Sequence, residues 1–160
     1  MNAVGAVIED TAESELGRAL RRALRPTSGT SRSAVPFRRR LDLGQAIEDA
    51  SAPNWDGYGA SPVDEGALFA ARAFLEALPS SWPDPDISVD PDGEIAFEWS
   101  RGPLRVFAVS VGTAGIASYA GLFGDSRTHG RETRPERILS VVASSLARIY
   151  PQARGLSAVS

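Results

Sequence analysis

The sequence predicts an α+β domain, a five-stranded antiparallel meander with two helices packed on one face, preceded by a flexible arginine-rich N-terminal arm. Three observations lead there. Apolar residues recur at three- and four-residue steps between positions 67 and 78 and again between 138 and 149, as on a helix with one buried stripe. Between those stretches the period falls to two, that of a half-buried strand. Turn sequences built on Asp-Pro-Asp-Gly, Arg-Gly-Pro, Gly-Thr-Ala-Gly and Gly-Asp cut this alternating region into short runs. Strands in series with a helix at either end fit a two-layer arrangement.

Charge divides the chain where this patterning begins. Residues 1–40 hold eight arginines against four acids, and the remainder nine against sixteen, so the parts carry +4 and −7. The expected organisation is an arm over 1–40, a single domain over 41–151 and a flexible tail over 152–160. Within the arm, Leu16, Ala19, Leu20, Ala23 and Leu24 have helical spacing, so a short helix is expected over 11–24. The stretch PTSGTSRSAVP buries too little apolar surface to offset chain entropy, and a disordered linker is expected over 26–36.

The domain's elements follow in order. LDLGQAIEDA suggests a short helix, and NWDGYGA an aromatic, glycine-rich corner. Ser61 ahead of Pro62 reads as an N-cap, with a helix over 62–78 that Pro79 stops. Ile87 and Val89 form the first strand, and Ile95, Phe97 and Trp99 alternate with Glu94, Ala96 and Glu98 in the second. LRVFAVSV is apolar on both faces and belongs at the centre; IASYAGLF follows, and the polar SRTHGRE suits an edge. Thr133 and Glu136 have capping-box spacing for a last helix over 135–150. The second sheet face, with Ala96, Glu98, Ala108 and Ser110, is left solvated or open to a partner.

Composition removes several chemistries. Cysteine is absent, which excludes disulfides, thiolate metal sites and a cysteine nucleophile. Lysine is absent too, so there is no Schiff-base or P-loop lysine. No GxGxxG or GxxxxGK motif occurs, and no cofactor is expected. MNAVGAVIED does not read as a signal peptide and no segment reaches the ~20 apolar residues of a membrane span, so a cytoplasmic protein is expected. The acids Asp84, Asp86, Asp90, Asp92 and Glu94 are interleaved with turn residues and read as a solvated hairpin rather than a metal site.

Three sets of residues could carry function. Trp55, Asp56 and Tyr58 of the corner supply aromatic surface on a turn, and with Glu98 and His129 of the sheet they form the expected partner-binding set. Arg18, Arg21, Arg22, Arg25, Arg38, Arg39 and Arg40 could grip phosphates in a nucleic acid, although a solvated tail has the same composition. His129, the sole histidine, could serve a hydrolase or nuclease with Glu98 or Asp125, although no nucleophile motif accompanies it.

NWDGYGASPV, DISVDPDGEIAFEWSRG, VFAVSVG, SYAGLFGD and HG, in that order, resemble a widespread group of small bacterial proteins with a tryptophan-aspartate-glycine corner and a DPDGE hairpin. The resemblance spans about residues 54–150. No activity is established for that group, so none is implied here. The reading that results is a non-catalytic protein-binding accessory module, antitoxin-like or part of a bacterial defence operon, with a partner encoded by an adjacent gene. A nucleic-acid binder using the arm is the alternative, and a hydrolase or nuclease using His129 the second alternative.

Overall fold

Helix α1 (Phe37–Asp49) starts ahead of the boundary expected at residue 41. The structure, a computed structural model, describes residues 37–151, and the expected arm helix, linker and C-terminal tail lie outside the described residues. Arg39, Leu43 and Ala50 are buried and Ala46 and Ile47 half-buried, a stripe at helical spacing. Its first member is an arginine, so a search for apolar periodicity starts the domain too late. Arg38 to Arg40 therefore belong to the folded domain rather than to an arm.

Arg39 is fully buried. Its guanidinium donates to Leu78 O, to Pro79 O, to Trp82 O at 2.8 Å and to Asp84 Oδ1. These acceptors cluster for a reason of sequence. Leu78 caps the C-terminus of helix α2 (Glu65–Ala77), where carbonyls lack helical partners, and Pro79, Pro83 and Pro85 deprive the following loop of donors. A cation with a fork of five donors satisfies such a loop, and it also suits the negative end of a helix. Among the described residues no buried side-chain nitrogen or oxygen is left without a partner.

The start of α2 differs from expectation. Asp64, not Ser61, is the N-cap, accepting from Gly66 N at 2.7 Å and Ala67 N at 3.3 Å. Ser61 is held away from the helix, because its N–H donates to Pro91 O and its carbonyl accepts the Trp55 indole. The last helix, α3 (Pro135–Ile149), is capped by Arg134 without a side-chain bond. The expected Thr133–Glu136 box does not form, since a helix starting at Pro135 puts that pair one residue out of capping register.

Between α2 and α3 run β1 (Asp86–Val89), β2 (Ile95–Ser100), β3 (Arg105–Val111), β4 (Ala117–Phe123) and β5 (Ser126–Glu132). They pair antiparallel in chain order, giving the expected meander with β3 at its centre and β5 at an edge. Helix α2 lies over β2 and β3, α3 over β2 to β5, and α1 packs against β1. Ile95, Phe97 and Trp99 of β2 and Phe107, Val109 and Val111 of β3 face the helices and are buried. Phe74 of α2 meets Phe97 with ring centroids 4.7 Å apart. On the edge, Tyr119 lies over Gly130, where a Cβ would strike its ring, and Arg148 of α3 stacks on Phe123 with its carbon 3.9 Å from the centroid.

Removing Arg39 tests its hold on this layer. Arg39→Ala is expected to lower the unfolding free energy by about 3 kcal/mol, because the loop carbonyls stay buried without donors. Arg39→Lys should recover little of it, lacking the planar fork. Asp84→Ala should cost about 1 kcal/mol, since its side chain is 35% exposed and water can stand in. Urea unfolding of the three variants checks the order.

Candidate partner-binding site

The corner owes its shape to two polar side chains and one backbone closure. Asn54 adopts a left-handed conformation, φ 59°, which asparagine tolerates better than most residues, and its side-chain oxygen accepts Gly59 N at 2.6 Å. Asp56 Oδ1 accepts Tyr58 N at 2.8 Å and Ala60 N at 3.0 Å. Asn54 N closes the loop on Ala60 O at 2.8 Å. The backbone from 54 to 60 is thus cross-braced without entering the core.

Its two aromatic residues diverge. Trp55 is half-buried against the core, and its indole N–H donates to Ser61 O at 2.9 Å. Tyr58 is 94% exposed. The tryptophan anchors the corner, and the tyrosine is carried outward on it.

A second motif supports the corner from behind. In the Asp90–Glu94 turn, Pro91 O accepts Ser61 N at 2.8 Å, and Gly93 O faces Asp64 N at 3.5 Å. Gly93 has φ 90°, and a Cβ there would lie 2.8 Å from Pro62 O, so only glycine permits this approach. The sequence presents NWDGYGASP and DPDGE as separate features 30 residues apart; the fold makes them one unit. From the other side Ala50 O, at the end of α1, accepts Val63 N at 3.2 Å.

Electrostatics follow from these bonds. The Tyr58 and Ala60 amides hold the Asp56 carboxyl below its usual range, by favouring the charged form. Glu94, leaning over Gly112, is raised by burial and by Asp92 and Asp90, with Arg131 acting in opposition. The acids of residues 84–94 do not converge. Asp84 pairs with Arg39, Asp90 accepts Ser110 Oγ at 2.6 Å, and Asp92 caps Glu94 N at 3.1 Å. Among the described residues no group of three or more His, Asp or Glu is arranged to hold a metal ion.

The five residues expected to bind a partner fall in two places. Trp55, Asp56 and Tyr58 share the corner. Glu98 and His129 lie on the open sheet face, in the register row Glu98, Ala108, Ala120, His129. Three strand spacings of ~4.8 Å separate their backbones by roughly 14 Å, so no hydrolytic pair forms. Asp125 lies in the β4–β5 turn, four residues before His129 on the same strand run, roughly 13 Å away. Of the arginines expected to meet phosphate, Arg18, Arg21, Arg22 and Arg25 lie outside the described residues. Arg39 is occupied in the interior, where no phosphate reaches it; Arg38 is exposed near Asp42, and Arg40 lines a mostly apolar groove between α1 and α2 with Leu43, Ile47 and Leu75.

No family model, curated protein or solved structure matches this chain. Among the described residues no helix is long and apolar enough to cross a membrane.

Two measurements check the corner. Because the Asp56 pKa is depressed, its bonds contribute fully at neutral pH and are lost as pH falls through the folded value, below ~3.9. The amide proton shifts of Tyr58 and Ala60 should titrate together there, and Asp56→Asn should abolish the titration. Trp55→Ala should cost about 2 kcal/mol in unfolding free energy, less than a fully buried tryptophan, with loss of the Ser61 bond included.

Proposed function

We propose that this chain is a non-catalytic binding module for another protein, and that the Trp55–Asp56–Tyr58 corner is its contact surface. The observation that carries this is Tyr58, 94% exposed on a loop whose backbone is fixed by Asn54 and Asp56. A large apolar ring left in water costs solvation free energy that a partner's pocket would recover. Bracing lowers the ordering cost of binding, since the loop does not have to be frozen at the moment of contact. Tyrosine also brings a hydroxyl that can stay wet or find an acceptor, which is why such residues recur among interface hot spots. An accessory role, antitoxin-like and with the partner encoded beside this gene, fits a small domain whose chemistry-bearing residues are dispersed.

Expression of the tagged chain from its native operon should recover a partner. Tyr58→Ala should weaken that complex by about 2 kcal/mol, roughly thirtyfold, while the thermal midpoint stays within a degree or two of the parent. Full retention of the partner by Tyr58→Ala, or recovery of no neighbouring gene product, would overturn the reading.

A further inference from the structure

The helices cover one face of the sheet, and strand alternation sets a different residue order on the other. One register row there reads Asp86, Glu98, Ala108, Ala120, His129 from β1 to β5. Arg127 and Arg131 flank His129 on the same side of β5, and Asp90, bonded to Ser110 Oγ, adds to the acidic half. Acids therefore occupy β1 and β2, bases occupy β5, and the strands between carry uncharged side chains, Val106, Ala108 and Ser110 on β3 and Ser118, Ala120 and Leu122 on β4. Glu98, Arg127 and His129 are exposed, and their side chains make no ion pair or hydrogen bond among the described residues. Within one molecule the sheet keeps Glu98, Arg127 and His129 from pairing with an opposite charge, while Glu94, leaning over Gly112, feels Arg131.

From this order we infer that the open face docks a second copy of this chain. Two identical sheets stacked face to face are related by a two-fold axis lying in the plane between them. An axis across the strands would set β1 on β1, acid against acid. An axis along the strands sets β1 on the partner's β5 and β3 on β3, so that each acidic half meets a basic half twice. The order of charge across the sheet selects the second arrangement. Ala108 and Ala120 in the middle row let the layers approach toward the ~10 Å of packed sheets, and Val106 with Leu122 adds apolar surface at one end. A sheet of this size covers roughly 500 Å² per copy, the low end for a specific interface, so the dimer is reversible and its charge pairs weaken with salt.

Sedimentation of the full chain at low ionic strength should show a concentration-dependent rise toward twice the monomer mass. Asp86→Arg with Glu98→Arg reverses the acidic half, and Arg127→Glu with Arg131→Glu reverses the basic half. Each should weaken self-association at least tenfold, and an equimolar mixture of the two should restore a dimer that holds one copy of each. Restoration also shows that both variants are folded. The inference stands apart from the corner reading, because Tyr58→Ala should leave the dimer unchanged. A chain that stays monomeric across the concentration series, charge variants that dimerise like the parent, or a mixture that does not reassociate would each overturn it.

Discussion

Burial of the Arg39 guanidinium is the constraint on which the remaining geometry rests. An unpaired cation in a protein interior is too costly to persist, so its presence there requires a full set of acceptors at fixed positions. Those acceptors are the last carbonyls of α2 and the loop leading to β1. One side chain thereby fixes where α2 ends, the path of residues 78–84 and the position of α1 beside β1. Trp82, plugged into the core from that loop, and Trp99, whose indole donates to Pro83 O at 2.9 Å, depend on the same path. A proline-rich loop offers more acceptors than donors, and arginine offers donors alone.

The aromatic corner inherits its position from this arrangement. Helix α1 is placed by Arg39 and Leu43, its end presents Ala50 O, and that carbonyl accepts Val63 N on the segment entering α2. The DPDGE turn closes on the segment from the opposite side, with glycine where any Cβ would collide. Between these two supports, with Trp55 packed against the core, the loop displays an exposed tyrosine. Rigidity is supplied by polar bonds, which remain satisfied whether or not a partner is present.

The sheet was legible because local signals agreed: strict alternation set the faces, and Gly- and Asp-containing turns set the pairing order. What sequence reading misplaced were positions where a side chain serves a distant element. Arg39 reads as part of a basic run because nothing near it in sequence shows the carbonyls it meets some 40 residues on. Ser61 has the composition of an N-cap, yet its backbone is committed to Trp55 and Pro91, and Asp64 takes the role. The aromatic corner itself was legible. Which ring faces outward was legible too, since a tryptophan beside a helix start plugs the core and a tyrosine can keep its hydroxyl in water. Glu98 and His129 could be assigned to one face from alternation, but their separation needed the register of all the intervening strands.

The two candidate surfaces differ in how they could hold a partner, and the DPDGE turn touches both. Through Pro91 O and Gly93 it braces the aromatic corner; through Asp90 it reaches Ser110 on the open sheet face. At the proposed corner contact, affinity would come from desolvating one aromatic ring, a contribution largely indifferent to salt. On the proposed dimer face the central strands carry only Val106 and Leu122 as larger apolar side chains, so ordered charge would supply register and orientation, and weakly. A domain with one preorganised apolar anchor and one flat, charge-ordered face can meet two occupants without either displacing the other. That division follows from strand alternation and a few backbone-directed polar bonds.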